Sequence, residues 1–140
     1  MQPYKYLNTT LAEFDSTDKT DTVMWPHRYN DDKQPEIAED LSRVFSVFIT
    51  QKHQLKKNEY YAKLAKSKIV FSCSLHENLG MSMIEGTLVG CLPIAPDRAA
   101  YSEIYMPEFL YPAHWTESLE AYQKYAPYAV SYTHLTLPTN

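Results

Sequence analysis

Glu77 and Glu85 flank Gly80 in the run Leu75-His76-Glu77-Asn78-Leu79-Gly80-Met81-Ser82-Met83-Ile84-Glu85-Gly86, and carboxylates so placed could grip vicinal hydroxyls. Each carboxylate oxygen accepts a hydrogen bond from one O–H, so a diol suits it. Gly80 lets the backbone come close to a ligand. The free N–H groups of Met81, Ser82 and Met83 would face bound oxygens, aided by the helix dipole. A second group lies upstream in Trp25-Pro26-His27-Arg28-Tyr29-Asn30-Asp31-Asp32-Lys33, where Arg28 and Lys33 stand five apart. A guanidinium fork and a point charge near helix amides are what a diphosphate needs. The same cations also fit a solvated turn paired with Asp31 and Asp32, and the two glutamates also fit charges in water. What separates Glu85 from that reading is its helix, which must be largely buried, so the carboxylate needs partners.

Other chemistries find less support. His76 could bond a hydroxyl or a phosphate, or be a satisfied loop histidine. His27, His53, His76 and His114 form no ligand-spaced cluster with cysteines or carboxylates, so no metal site is expected. Ser72, Ser74 and Ser82 lack the context of an activated nucleophile. Tyr60, Tyr61, Tyr101 and Tyr105 read as packing residues, and no phosphate-binding P-loop is present.

The elements that must position these groups alternate. Thr22-Val23-Met24-Trp25 reads as a strand stopped by Pro26, and Pro35 opens a helix through Leu41 with Ile37 and Leu41 on one face. Phe45–Ile49 is a second strand, and helical spacing returns at Tyr60, Tyr61, Leu64 and Ala65. Ile69–Cys73 is a buried strand before the glutamate loop, and a helix follows, closing at Gly90. Cys91–Ala95 is the next strand, then a loop over Pro96–Ala100, a short helix near Tyr101–Tyr105, a strand at Phe109–Tyr111 and a helix over Thr116–Tyr125. Strands alternating with helices predict an α/β fold, a Rossmann-like three-layer domain with a parallel sheet. Ligands bind such sheets at a strand–loop–helix corner.

With 140 residues the chain suffices for one domain. Residues 1–20 are polar and read as a linker or the end of a preceding segment, and 21–129 form the domain. Val130–Thr139 resembles the translation of a sequencing adapter, so 130–140 is expected to be a non-native tail, with the native continuation after Ala129 replaced. Thirteen basic against seventeen acidic residues give a net charge of −4, which argues against direct nucleic-acid binding by bulk electrostatics. Cys73 and Cys91 fall in predicted strands and read as small apolar residues in a reducing compartment. No signal peptide or membrane-length apolar run is visible, so a cytoplasmic location is expected.

Taken together, these residues resemble the C-terminal, donor-binding domain of retaining glycosyltransferases of the GT4 class, enzymes of the two-domain GT-B fold. The resemblance covers roughly Thr22 to Tyr125. It rests on Arg28 and Lys33 after the first strand, on Glu77, Gly80 and Glu85 as a two-glutamate motif with an internal glycine, and on Gly86, Gly90, Pro93 and Glu103 beyond it. The Trp25–Lys33 run and Pro96-Asp97-Arg98 look closer to the tRNA-queuosine mannosyltransferase-like branch and similar phage-type enzymes than to sucrose or glycogen synthases.

The resemblance implies a hexosyltransferase that uses a GDP- or UDP-linked sugar as donor, with no cofactor and no metal. Arg28 and Lys33 would neutralise the departing diphosphate and Glu77 would hold hydroxyls of the transferred sugar, these three being the catalytic candidates. Glu85 would hold the ribose, while His76, Asn78, Leu79, Gly80, Met81 and Ser82 would line the donor. Transfer would take place on the donor's front face without a protein nucleophile. The partner so implied is an N-terminal acceptor domain that is missing here, so the fragment is expected to be inactive alone. A non-catalytic nucleotide-sugar binding module and a GT-B epimerase are the alternatives. Two departures stand out. The interval from Lys33 to Glu59 is short, as if one strand–helix unit were absent, and Gly86 stands where alanine is commoner, an apparently small change of helix propensity.

Overall fold

The computed structural model describes residues 19–134, with side chains to residue 127. The predicted polar segment before residue 19 and the tail from residue 135 lie outside the described residues. Five parallel strands form one sheet: β1 (Thr20–Trp25), β2 (Val47–Ile49), β3 (Ser67–Phe71), β4 (Leu92–Pro96) and β5 (Leu110–Tyr111), in the order β2-β1-β3-β4-β5. The helices are α1 (Pro35–Leu41), α2 (Lys57–Ala65), α3 (Met81–Leu88), α4 (Tyr101–Ile104) and α5 (Leu119–His134). The predicted Rossmann-like arrangement is therefore present.

Alternation along the strands sends side chains to two cores. Val23, Trp25, Ile69, Phe71 and Ile94 face α1 and α5, meeting Ile37, Leu41 and Tyr122. Met24, Val70 and Ala95 face the other way, against Leu64, Met83, Ile84 and Tyr101 from α2, α3 and α4. Both sheet faces are covered, which is why the central strands read as near-continuous apolar runs.

The elements differ from expectation at their ends. β2 begins at Val47, because Phe45 turns inward from the preceding loop and is buried in the core. β3 and β4 are each displaced by one or two residues, so Cys73 and Cys91 fall just outside them. Both thiols are buried and unpaired, and burial pushes them up to about 12 and about 11 respectively. They stay protonated, and Cys91 Sγ donates to Leu64 O at 3.0 Å. The last helix runs on past Tyr125 and holds Pro127 within it.

Pro93 sits within β4, where a missing N–H would ordinarily break a ladder. Ile94 gives its carbonyl to Ser72 N at 3.0 Å, so the alternating Pro93 backbone faces away from β3. On that flank β5 pairs only with Ala95 and Pro96, and no described strand runs beside Pro93.

Gly86 has a sharper role than helix propensity. A Cβ there would lie 2.9 Å from both Cβ and Cγ1 of Val70, so α3 approaches β3 too closely for any side chain. The expected small effect is corrected accordingly: packing, not propensity, decides this position. Gly86→Ala is expected to destabilise the chain by about 1–3 kcal/mol in urea denaturation, against the ~1 kcal/mol that propensity alone would return. Adding Val70→Ala should recover most of the loss, and no loss in the single variant would refute the contact.

Candidate functional site

The order β2-β1-β3-β4-β5 places a topological switch between β1 and β3, because the chain leaves β1 toward β2 and returns across it to β3. In open parallel sheets the crevice at such a point, beyond the carboxyl ends of the strands, is where ligands lie. A cavity of about 520 Å³ opens there. It is lined by His27 and Arg28 after β1, Asp32 and Lys33 beyond them, and Glu77, Met81, Ser82 and Glu85 from the loop after β3 and helix α3. Two segments more than forty residues apart in sequence thus meet at one corner.

Lys33 sits on a single 3₁₀ turn, Asp31–Lys33, closed by Gln34 in the left-handed region at φ 54°. The buried Gln34 amide donates to Cys73 O at 2.8 Å and to Thr116 O, and Leu75 N donates to Asp32 O at 2.7 Å. This lashes the cation's turn to the β3 exit. Lys33 Nζ then reaches Glu77 Oε2 at 2.8 Å and His76 O at 3.1 Å, with Asp32 Oδ2 at 3.6 Å. Arg28 is exposed and has no ion pair among the described residues. The cavity therefore presents one cation already shared with a carboxylate and one open to a ligand.

The same Glu77 oxygen, Oε2, also meets Tyr101, whose hydroxyl lies 3.4 Å from it and 2.8 Å from Ser72 Oγ. The Tyr101 ring also packs beneath Gly80, where a Cβ would sit 3.0 Å from Cε1. Gly80 caps α3 at φ 72°, a conformation that costs glycine nothing. Ile84 N is the first α3 amide to bond back, to Gly80 O, so the N–H groups of Met81, Ser82 and Met83 have no partner within the helix.

Glu85 is the partly buried carboxylate expected from its helix. It accepts a hydrogen bond from Tyr61 of α2, 2.9 Å away. Burial raises its pKa, opposed by the hydroxyls of Tyr61 and Tyr60 and by the charge of Lys57. His27 stands beside the cations, buried, with Nε2 at 2.9 Å from Phe71 O. Burial lowers its pKa to about 4, so the ring is neutral at pH 7.

Of the residues singled out in sequence, Arg28, Lys33, Glu77, Met81, Ser82 and Glu85 share this one cavity. Gly80 lies buried at its edge as the helix cap. His76 and Asn78 are exposed and do not line it, and Leu79 packs against the second core. Sequence reasoning passed over His27, Tyr61 and Tyr101 as contributors, and Arg98 as an anchor. The Arg98 guanidinium donates to Cys73 O, Ser74 O, Ala113 O and Thr116 O at 2.7–3.0 Å, fixing the loop that carries Glu77. Among the described residues no group of three or more His, Cys, Asp or Glu side chains is arranged to hold a metal ion. No described helix is long and apolar enough to cross a membrane.

No protein-family model matches the chain. It is similar to tRNA-queuosine alpha-mannosyltransferase of Drosophila melanogaster, with 29% identity over 128 residues. The match takes in 69% of this chain and 34% of the fly protein, so the chain spans about a third of that relative's length. On a Rossmann-like parallel α/β fold, then, this chain's similarity is to a glycosyltransferase.

Proposed function

We propose that the chain is the donor-binding half of a retaining glycosyltransferase that takes a hexose from a GDP- or UDP-linked sugar. The observation that carries this reading is the cavity at the β1–β3 switch, where Arg28, Lys33, Glu77, Ser82 and Glu85 converge. Each group has a part. Arg28 and Lys33 face the diphosphate, and their charge stabilises the leaving group as the glycosidic bond breaks, the kind of preorganised electrostatics that often dominates a barrier. Glu77, steadied by Lys33 and Tyr101, accepts hydrogen bonds from hydroxyls of the sugar. The free amides of Met81 and Ser82 meet phosphate or sugar oxygens at the helix N-terminus.

Glu85 suits the ribose. Its carboxylate is pulled toward the protonated state by burial, and the two O–H groups of a ribose diol would favour its charged form. The acceptor would bind on a second domain of the GT-B pair, so the chain alone binds donor and does not transfer it. Because the fly relative is named for mannosyl transfer, nucleotide-linked mannose is the first donor to try.

Calorimetry with a panel of GDP- and UDP-sugars tests the reading. One donor is expected to bind, with Arg28→Ala and Glu85→Ala each weakening it about tenfold, the size of one charge-assisted contact. Equal binding by the wild type and both variants would remove the site from this cavity.

A further inference from the structure

The cavity at the β1–β3 switch holds a polar atom that none of the roles given above employs. His27 follows β1, is only 5% exposed and lines the cavity beside the cations. Its ring reaches across from β1 to the end of β3, where Nε2 lies 2.9 Å from Phe71 O. A backbone carbonyl can only accept, so Nε2 carries the proton and Nδ1 the lone pair. The Trp25 ring packs edge-on against the imidazole, with centroids 5.0 Å apart, and helps to hold its plane. Nδ1 has no hydrogen-bond partner among the described residues and is not sealed off, so it opens onto the cavity that the ring lines.

Such an atom selects its partner by charge. The ring is neutral at pH 7, its pKa lowered by burial to about 4, so Nδ1 accepts a hydrogen bond and cannot give one. Phosphate oxygens are anionic acceptors too, and a lone pair aimed at them would repel. A hydroxyl hydrogen is what the nitrogen lacks. Its place along the cavity narrows the choice further. The charges that act on the ring are those of Lys33 and Glu77, and that of Glu85 is not among them. The hydroxyl therefore belongs to the end where Glu77 meets the sugar, away from the ribose.

We propose that His27 Nδ1 accepts a hydrogen bond from one hydroxyl of the transferred sugar, which makes His27 a specificity-determining residue of the donor site. The inference rests on the donor-site reading and adds a neutral contact to it. Glu77 grips hydroxyls through its charge, whereas the fixed nitrogen serves a single O–H. A sugar without that hydroxyl would leave the acceptor unpaired, and a site built in this way rejects such an analogue.

Calorimetry with GDP-mannose, its monodeoxy analogues and GDP alone tests it, on the wild type and on His27→Gln. Glutamine can still donate to Phe71 O from its amide nitrogen but places no acceptor where Nδ1 stood. The variant is expected to bind GDP within about twofold of the wild type and GDP-mannose about tenfold more weakly. One deoxy analogue should show the same loss on the wild type and no further loss on the variant. In nitrogen NMR of the labelled wild type, the His27 Nδ1 signal should move upfield with GDP-mannose and stay in place with GDP, a signature that needs no variant to fold. GDP and GDP-mannose weakened alike by His27→Gln would overturn the inference and leave the donor-site reading standing. So would a deoxy series in which every loss persists on the variant, or an Nδ1 signal that GDP-mannose does not move. A wild type that binds no GDP-mannose would overturn the donor assignment on which the inference rests, and the inference with it.

Discussion

Replacing Lys33 with Met is expected to weaken binding of the nucleoside diphosphate sugar about 100-fold, close to 2.7 kcal/mol. The ammonium has two jobs in the cavity. It holds Glu77 Oε2 at 2.8 Å in the free protein, and it is the best-fixed cation that a diphosphate could share. Methionine keeps the length of the side chain and removes the charge, leaving Glu77 to repel an incoming phosphate. A charge-assisted hydrogen bond of this kind contributes about 1.5–3 kcal/mol, and the exposed carboxylate adds to the loss. The effect should follow phosphate charge. Calorimetry with GDP or UDP alone should show the same loss, whereas the matching monophosphate should change less than threefold. A loss shared equally by monophosphate and diphosphate would mean that Lys33 shapes the cavity and does not face the diphosphate.

Arg98→Met is expected to destabilise the chain by about 4 kcal/mol in urea denaturation, because several charge-assisted hydrogen bonds to carbonyls disappear together and do not simply add. The guanidinium joins three stretches of chain, the β3 exit at Cys73 and Ser74, its own loop after β4, and the turn around Ala113 and Thr116. Thr116 Oγ1 is a further acceptor at 3.0 Å. Without the arginine, these carbonyls are left in an enclosed space with the Gln34 amide as one remaining donor, shared by Cys73 O and Thr116 O. Arg98→Lys should recover less than half of the loss, since a point charge cannot serve acceptors spread over a planar fork. A methionine variant within 1 kcal/mol of wild type would show that water replaces the fork at little cost.

How far the chain could be read from its residues depends on the range of the interactions involved. Runs such as Ile69-Val70-Phe71 and Cys91-Leu92-Pro93-Ile94 announce buried strands because both sheet faces are covered. Gly80 and Gly90 punctuate α3 at positive φ, 72° and 93°. These are local signals, and they placed the elements to within a few residues. The gathering of Arg28, Lys33 and the two glutamates around one cavity was also legible, through motif spacing on either side of a corner. The contacts that tune the corner were not. Tyr61 reaches Glu85 across 24 positions, Tyr101 reaches Glu77 across 24, and His27 reaches Phe71 across 44. No periodicity encodes such distances, and a tyrosine that will bond a carboxylate looks in sequence like one that merely packs. Gly86 was misjudged for the same reason: its meaning lies in Val70 on the neighbouring strand, not in its own helix.

The brevity of the outer strands has a consequence for how this chain behaves among copies of itself. β2 contributes three residues and β5 two, so each border of the sheet presents only a few unpaired N–H and C=O groups. A border that short gives a neighbouring molecule little ladder to extend, and Pro112 directly after β5 removes the next donor. A sheet bordered by long strands would offer a neighbour a template for aggregation. Here the borders are stubs, and β1 and β3, each paired on both sides, keep their backbones inside the sheet, so the sheet offers copies of the chain little to join.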